Sequence, residues 1–549
     1  MEETVEVTLP GGEQRAVEFG TRIAALFGGT GLEAPLAAIM NGETVGLNTR
    51  ITEPVVVTPL YLADRSGYAV YARSVAFLLT LAVRELFGDG EVVLDHGINN
   101  EISATITDGG PLTADDIRAV RDEMRAIVAR DAPIERVKVK RDEAVQIFTE
   151  AGMDDKLAVM RATNRTYVTL YRCLGHADYL YGALVPSTGF LTVFDLVPLG
   201  DGVLLLLPHK KPPHALSSVV EMPKLRAAFA EAEDWARILR AANVGDINEL
   251  ATLDHGRDMV LVAEGLHEKK ISQIADAVAA NLDHTRLVLI AGPSSSGKTT
   301  FSKRLAIQLR VLGLEPFPVS ADDYFHDREH TPRSADGTFD FEALEAVDVA
   351  ALNADIVAVL NGGSMALHRF DFVAGVRRDT GRRYEMNERS ILIVEGIHGL
   401  NDRLTPDVAV DAKYRIYASA LLPLNLDNHT SIYVSDVRTL RRMVRDNRTR
   451  GADAERTLQM WPSVRAGEER NIFPFQESAD VVFNSALLYE LNALKPHVQP
   501  LLEHVDREST VYGEAMRMVE FLSFFKSLTA TYIPPNSIVR EFIGGSCFE

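Results

Sequence analysis

The C-terminal half of the chain alternates short apolar runs with longer amphipathic segments. Strands that are buried on both faces of a parallel sheet read as continuous apolar runs. The segments between these runs are long enough to form the helical crossovers that parallel strands need. From residue 286 onward, this pattern predicts a parallel α/β sheet with strands at 286–291, 315–320, 390–396, 412–418 and 479–484.

Residues 1–60 have the pattern of a small strand-rich unit. Polar and apolar residues alternate over Thr4–Leu9, and a Pro-Gly-Gly turn and a second short strand follow. Asn41-Gly42 predicts a hairpin, and Thr21 is placed to cap a short helix. Strands and one helix in this order predict a β-grasp fold.

The middle of the chain mixes helices and strands. Residues 214–285 show helical spacing without a catalytic pattern. The other predicted elements are a helix at 71–87, a helix at 114–130 opened by Thr113, a strand-rich stretch at 166–208 and a loop at 209–213.

Length and composition set the number of domains. A chain of 549 residues with 46% hydrophobic content is too long for one core. We predict a multidomain α/β protein with an N-terminal β-grasp domain, a middle α+β domain with a helical linker, and a C-terminal parallel α/β domain. The predicted boundaries are 1–61, 62–240 and 250–549.

Charge and cysteine content narrow the possible partners and compartments. The formal charge of −20 disfavours nucleic acid as a partner, so RNA contact by the N-terminal half would need a local basic patch. Two cysteines far apart in sequence fit a reducing compartment. The acidic N-terminus lacks a signal-peptide pattern, and no run has the length of a membrane helix. We expect a cytoplasmic homo-oligomer without membrane contact.

A phosphate-binding loop follows the first strand of the C-terminal sheet. Residues 292–300 read GPSSSGKTT and match G-x-x-x-x-G-K-[ST], between an apolar strand and a predicted helix at 301–312. Backbone N–H groups of such a loop and the helix N-terminus attract phosphate oxygens, so ATP or GTP is the expected donor. Lys298 should reach the β- and γ-phosphates, and Thr299 should bind Mg²⁺. The predicted nucleotide contacts in this loop are Gly292, Ser294, Ser295, Ser296, Gly297, Lys298, Thr299 and Thr300.

Carboxylates follow two other apolar runs of the same sheet. Glu395 ends a predicted strand, where it would meet the ligand and hold Mg²⁺ or a metal-bound water. Asp322 and Asp323 follow another run, and phosphoryl transfer to a hydroxyl needs a carboxylate to accept the proton. The residues alone leave the base open between these two aspartates, and an Asp pair in a turn is the alternative.

Six arginines lie between Asp436 and Arg450. In so acidic a chain they favour a lid whose guanidinium groups neutralise the transferring phosphoryl. A solvated basic face paired with the aspartates of the same segment is the alternative. The arginines are Arg438, Arg441, Arg442, Arg445, Arg448 and Arg450.

With these motifs, residues 286–500 resemble the uridine kinase and phosphoribulokinase family of P-loop kinases. The segment SADDYF resembles the family's S-x-D-S-F-Y, which implies Asp322 as the base. Asp340, in Phe-Asp-Phe, resembles the aspartate that binds ribose hydroxyls, and Glu395 stands where the family has its magnesium-linked glutamate. The resemblance implies catalytic roles for Asp322, Lys298, Arg442 and Arg445, and nucleotide binding also by Arg445 and Arg450. It implies metal binding by Thr299 and Glu395. The residues that it implies for acceptor binding are Asp322, Tyr324, Asp340, Phe370 and Arg442.

The presumed base pocket departs from the family pattern. Phe370 stands where the family has tyrosine, and Gly375 where typical uridine kinases have a base-contacting histidine. Both changes remove hydrogen-bonding groups, and a site without them discriminates less. The sequence therefore predicts phosphorylation of a nucleoside 5′-hydroxyl, of uridine or cytidine type, with a sugar or sugar phosphate as the alternative acceptor.

The N-terminal half resembles two modules of threonyl-tRNA synthetases. Residues 4–60 resemble the TGS domain, and residues 62–208 resemble the second additional domain, which edits mischarged tRNA. That domain uses an H-x-x-x-H pair with a further Cys and His, but here the helix at 71–77 has no histidine and Cys173 and His176 stand at a shortened spacing. We expect no zinc site, because these ligands are too few. An RNA- or nucleotide-sensing regulatory role is the alternative function.

The order of the three domains resembles a group of bacterial and plant-type nucleoside kinases. The C-terminal run at 533–546, IPPNSIVREFIGGS, resembles the ending of that group. Its glycines and the neighbouring Arg540 and Glu541 suggest that the tail docks onto the kinase domain.

Overall fold

The computed structural model describes the chain except for residues 1–3, 89, 99, 109, 111, 164, 253–254, 334–336 and 549. Its strands are β1 Thr4–Thr8, β2 Gln14–Glu18, β3 Ala37–Met40, β4 Glu43–Gly46, β5 Val55–Leu60, β6 Glu91–Ile98, β7 Glu101–Thr107, β8 Glu135–Lys140, β9 Tyr167–Cys173, β10 His176–Asp178, β11 Asp195–Leu199, β12 Gly202–Leu206, β13 Leu287–Ala291, β14 Glu315–Ser320, β15 Ser364–Asp371, β16 Val376–Glu385, β17 Ser390–Glu395, β18 Lys413–Ser419, β19 Asn425–Asp427, β20 Thr430–Ser431 and β21 Val481–Asn484. Its helices are α1 Arg65–Phe87, α2 Ala114–Arg130, α3 Arg141–Glu150, α4 Asp154–Ala162, α5 Pro223–Ile238, α6 Val244–Leu250, α7 Gly256–Ala280, α8 Lys298–Val311, α9 Val349–Leu360, α10 Val434–Arg450, α11 Ala454–Asn471, α12 Glu490–Glu503, α13 Tyr512–Leu522 and α14 Arg540–Ile543.

The N-terminal domain is a five-stranded sheet in the order β2-β1-β5-β3-β4. β1 runs antiparallel to β2 and parallel to β5, and this arrangement confirms the predicted β-grasp unit. The prediction that Thr21 caps a helix is wrong. Its carbonyl accepts the N–H of Ile51, so the Thr21 backbone is bonded to the segment that leads into β5. A single 3₁₀ turn starts after Arg22 without a side-chain cap.

The middle domain surrounds one long apolar helix. α1 has the length and composition to cross a membrane, but 78% of its apolar window is buried inside the protein. α2 begins as predicted: Thr113 accepts the N–H of Asp116 at 3.3 Å, and the Asp116 carboxylate accepts the N–H of Thr113 at 2.9 Å. The strands form two sheets, β11-β12-β7-β6 and β10-β9-β8.

The C-terminal domain is built on a five-stranded sheet in the order β14-β17-β13-β18-β21. Every neighbouring pair is parallel, which confirms the predicted parallel α/β sheet. The predicted strands agree with the observed bounds to within two residues at each end. The phosphate-binding loop follows the central strand β13, and the carboxyl ends of β14 and β17 lie at the same edge.

The middle and C-terminal domains share one apolar core. Phe148 and Val159, from α3 and α4, belong to the same buried cluster as Phe301 and Phe483 of the C-terminal sheet and its helices. The predicted boundary between 240 and 250 therefore falls in a continuously packed region. A cluster of buried charged side chains also joins the two domains.

The interdomain charge cluster consists of the side chains of Lys156, Asp178, Asp427 and His429. The Lys156 ammonium, with no solvent exposure, lies 3.1 Å from Asp178 Oδ1 and donates to Asp427 Oδ1 at 2.7 Å. His429 Nδ1 lies 2.6 Å from Asp178 Oδ2. Asp427 and His429 belong to the segment between β18 and α10, so the cluster fixes this segment to the middle domain.

Candidate active site

The geometry of the phosphate-binding loop depends on two glycines. A side chain at position 292 would overlap the carbonyl oxygen of Ala418 on β18, so only glycine fits there. Gly297 precedes α8 with φ of +81°, and Ser295 also has a positive φ of +59°. These values let the backbone curl so that successive N–H groups face inward. The Ser295 and Ser296 hydroxyls are buried and have no partner among the described residues.

Two of the six arginines hold this loop in place. Arg438 Nε donates to the carbonyl of Ser294 at 2.9 Å, and its guanidinium pairs with Glu468. Glu468 in turn accepts the N–H of Ser294 at 3.2 Å. Arg441 pairs with Glu490, and all four side chains of these two ion pairs are at most 2% exposed. Arg438 and Arg441 therefore support the loop and are not available to a transferring phosphoryl group.

Three other arginines gather around one aspartate beside the loop. Arg442 Nε lies 3.2 Å from Asp446, Arg445 Nε lies 2.8 Å from it, and Arg450 Nε lies 3.6 Å from it. Arg442 also donates to the Ser294 hydroxyl at 2.9 Å. Burial lowers the pKa of Arg450 to about 10, and the neighbouring Arg445 adds to the effect. The structure thus brings together the three arginines to which the sequence assigns site roles.

The predicted metal ligands are adjacent. The hydroxyls of Thr299 and Ser320 each donate to Glu395 Oε1 at 3.1 Å. Burial, together with the nearby Asp322, raises the pKa of Glu395 to about 7, against the opposing effect of Lys298. Hydroxyl and carboxylate oxygens are the ligands that Mg²⁺ prefers. A bound cation would relieve the repulsion between the carboxylates of Glu395 and Asp322. The residues therefore fit a magnesium ion.

Lys298 is buried beside these carboxylates. Its side chain is 9% exposed, and its ammonium donates to the carbonyl of Pro293 at 3.2 Å. Burial lowers the pKa of Lys298, whereas Glu395 and Asp322 raise it. The Lys298 ammonium is therefore close both to the phosphate-binding loop and to the carboxylates of Glu395 and Asp322.

The two aspartates that follow β14 have different surroundings. Asp323 Oδ1 accepts the N–H of Phe370 at 3.0 Å, and burial raises the pKa of Asp323. No described residue donates a hydrogen bond to the Asp322 carboxylate, which lies close enough to Glu395 and Lys298 to shift their pKa values. Asp323 thus fixes β15 to this turn, whereas the Asp322 carboxylate has no such partner among the described residues.

The predicted acceptor residues are only partly brought together. Asp340 Oδ2 pairs with Arg470 at 2.9 Å. Phe370 is 9% exposed and packs against Phe372, with ring centroids 5.2 Å apart. The guanidinium of Arg450 lies 4.7 Å from the Phe372 ring, so the arginine cluster touches the aromatic pair that the sequence assigns to acceptor binding.

Tyr324 lies outside the site. It is 1% exposed, and its hydroxyl donates to the half-buried carboxylate of Asp355 at 2.9 Å. At Gly375, where a histidine was expected from the resemblance, a Cβ atom would lie 2.8 Å from Nε of Arg328. The Arg328 guanidinium thus packs against Gly375.

Glu342 is a site residue that the sequence analysis missed. Its Oε2 atom is buried without a hydrogen-bond partner among the described residues. Burial raises the pKa of Glu342 to about 7; Arg442 and Lys298 oppose this shift, and Asp322 adds to it. Its position two residues after Asp340 was the only signal in the sequence.

Of the residues that resemble the synthetase editing site, Cys173 and His176 face each other across β9 and β10 beside Glu85, whereas His96 lies on β6 in the other sheet. Cys173 is buried, and burial together with Glu85 raises its pKa to about 11. His176 Nε2 lies 3.1 Å from Glu85, whereas His96 stacks on Phe229 with ring centroids 3.9 Å apart. Within the described part of the chain, no group of three or more His, Cys, Asp or Glu side chains is arranged to hold a metal.

Comparison with known sequences identifies the C-terminal region. Residues 287–489 match the sequence model of the phosphoribulokinase / uridine kinase family. This match contains the phosphate-binding loop, Asp322, Glu395 and the arginines of α10. The region is a P-loop kinase domain of that family.

The N-terminal half is similar to part of threonine–tRNA ligases. The ligase of Acidovorax sp. (strain JS42) is 34% identical over 200 residues, which cover 35% of this chain and 31% of the ligase. That of Symbiobacterium thermophilum is 31% identical over 201 residues, with 36% of this chain and 31% of the ligase covered. The chain thus spans about a third of the length of these relatives.

Two solved structures resemble the chain over 39% of its length. One is a putative fructose transport system kinase from Silicibacter sp. TM1040, and the other is a possible uridine kinase from Bacillus stearothermophilus. Each is 19% identical and is covered over 98% of its own chain, with TM-scores of 0.28 and 0.27.

Proposed function

We propose that the protein transfers the γ-phosphoryl group of ATP or GTP to the 5′-hydroxyl of a nucleoside, yielding the nucleoside monophosphate. The observation that carries this proposal is the position of Asp322. Its carboxylate, free of hydrogen bonds from described residues, lies beside Lys298 and the Thr299–Glu395 pair at one edge of the sheet. An acceptor hydroxyl bound there would lie between the Asp322 carboxylate, which acts as the base, and the phosphate donor.

Positioning and charge neutralisation account for most catalysis of this kind. The curled loop and Lys298 bind the β- and γ-phosphates, and Asp322 accepts the proton of the attacking hydroxyl. Arg442 and Arg445 neutralise charge on the phosphoryl group as it transfers. Mg²⁺, held by Thr299 and Glu395, would offset the negative charge of the donor phosphates. The heavily buried lysine and arginines are consistent with a site that excludes water, which would otherwise waste the triphosphate.

The acceptor that we propose is a nucleoside of uridine or cytidine type. Asp340 is the residue that would hold the ribose hydroxyls, and the aromatic pair of Phe370 and Phe372 offers a stacking surface for a base. The exposed ring of Phe372 beside the buried ring of Phe370 supports a flat acceptor over a sugar. The cysteine content supports a cytoplasmic location.

A panel assay with labelled ATP tests this proposal. Pyrimidine nucleosides should be phosphorylated, and turnover of a sugar or sugar phosphate alone would contradict the nucleoside assignment. Asp322→Asn should abolish transfer and spare ATP binding. Asp323→Asn is the matched control, because the Asn oxygen can still accept the N–H of Phe370, and it should keep most of the activity. Equal activity in both variants would remove Asp322 from the role of base.

A second candidate function is RNA recognition by the N-terminal half, which the similarity to threonine–tRNA ligases favours. The charge of −20 opposes it. A filter-binding titration of the full chain with tRNA, at several salt concentrations, separates the two. Tight binding with a steep salt dependence would support RNA recognition, and its absence would leave only the kinase function.

A further inference from the structure

The C-terminal tail, residues 533–548, packs against the phosphate-binding loop. Ile538 and Phe542 are fully buried. A Cβ atom at Gly297 would lie 2.6 Å from Cγ2 of Ile538, so the tail lies directly on the residue that precedes α8. This contact joins segments that are about 240 residues apart in sequence.

The tail places a carboxylate on the first turn of α8. Glu541 Oε2 accepts the hydroxyl of Thr300 at 2.7 Å and its N–H at 3.2 Å. N–H groups in the first turn of a helix have no partner within the helix, and they attract anions. In a P-loop these same N–H groups bind the phosphates of the nucleotide. Glu541 therefore lies at an anion position of the donor site.

Cations of the kinase domain hold the tail in this position. Arg448 of α10 donates to the carbonyl of Glu541 at 2.9 Å, and the Arg441 guanidinium lies 5.0 Å from the Phe542 ring. Lys303 of α8 donates to the carbonyl of Phe548 at 2.9 Å. The tail is thus bound by both the helix that follows the loop and the helix that carries the arginines.

The docking expected from the sequence is present, but not through an Arg540–Glu541 pair. The Arg540 guanidinium donates to the carbonyls of Ala530 and Ile533, at 2.6 and 2.7 Å, and so shapes the tail itself. This leaves the Glu541 carboxylate to Thr300. The two neighbouring residues therefore have separate tasks.

We propose that Glu541 is a residue of the phosphate-donor site, where its carboxylate competes with a phosphate oxygen of the nucleotide for Thr300. One N–H cannot serve two anionic acceptors at the same position, and the two negative charges repel each other. Donor binding then moves Glu541 off Thr300 and loosens the tail. This inference rests on the proposed nucleotide-dependent kinase function.

Calorimetry of Mg-ATP binding to the full chain tests the competition. Glu541→Gln keeps the shape and removes the charge, and it should lower the Kd by about tenfold, the difference between a charged and a neutral hydrogen-bond acceptor. Glu508→Gln removes the same charge at an exposed position outside the tail, and it should leave the Kd unchanged. An unchanged or raised Kd for Glu541→Gln would overturn the proposal, as would equal gains in both variants.

Hydrogen exchange of the wild-type chain provides the second measurement. Saturating Mg-ATP should speed amide exchange in residues 533–548, because the tail loses its contact with Thr300. Unchanged or slowed exchange at saturation would contradict displacement. If no chain binds ATP, the kinase function fails together with this inference; if the wild type binds ATP and Glu541→Gln binds it equally, only the role of Glu541 fails.

Discussion

Replacement of Lys156 by Met tests how firmly the middle and C-terminal domains are joined. Lys156 is the ammonium that both Asp178 and Asp427 face, and the three side chains are at most 1% exposed. Burial opposes ionisation of Asp178, but Lys156 and then His429 hold its pKa well below the ordinary value. Without the lysine, Asp178 keeps His429, whereas Asp427 loses the cation that offsets its burial.

The expected cost follows from that uncompensated charge. Removal of one partner of a buried ion pair destabilises a protein by about 3–5 kcal/mol, and we expect Lys156→Met to lower the free energy of unfolding by this amount. Guanidinium unfolding can be followed by the fluorescence of Trp235 and Trp461, which lie in α5 and α11. Because the cluster joins the domains, the transition should move to lower denaturant as a whole.

Two further variants sharpen this test. Lys211→Met removes a lysine from an exposed loop and should change the free energy of unfolding by less than about 0.5 kcal/mol. Asp427→Asn combined with Lys156→Met removes the stranded charge and should recover part of the loss. A loss below about 1 kcal/mol for Lys156→Met, or no recovery in the double variant, would refute the reasoning from buried charge.

Three more outcomes follow from the site. In magnesium-free buffer, the pKa of Glu395 is about 7 in the folded protein, against an ordinary 4.5. The protonated side chain therefore stabilises the fold at low pH, and this contribution falls as the pH rises from 4.5 to about 7. Glu395→Gln should flatten that part of a plot of unfolding free energy against pH. Gly292→Ala should abolish ATP binding by calorimetry, because its methyl group would push β13 and β18 apart. Tyr324→Phe should lower the free energy of unfolding by about 1–3 kcal/mol and leave the acceptor KM unchanged; a raised KM would return Tyr324 to the acceptor site.

Local patterns were sufficient to predict most of the fold. The strands of the C-terminal sheet are buried on both faces, so each appears as an apolar run that needs no knowledge of its neighbours. Likewise, Thr113 and Asp116 form their capping box within one turn. Thr21 was misjudged because its backbone bonds to Ile51, thirty residues away.

The site could be predicted where its residues lie in one short motif. The phosphate-binding loop is such a motif, and so is the cluster of Arg442, Arg445 and Asp446. Without the family resemblance, the run of arginines could not be divided into these and Arg438 and Arg441, because only the positions of Glu468 and Glu490 decide which guanidinium groups are already paired. Glu342, and the contact of Glu541 with Thr300, were missed for the same reason, since both depend on contacts between distant segments.

The shared core and the interdomain charge cluster limit how the kinase can be dissected. A fragment that starts at residue 250 would leave Asp427 without Lys156 and expose the apolar side chains that pack against α3 and α4. Failure of such a fragment to phosphorylate would then reflect a damaged scaffold. It would carry no information on regulation by the N-terminal half, which is better studied by point substitution in the intact polypeptide.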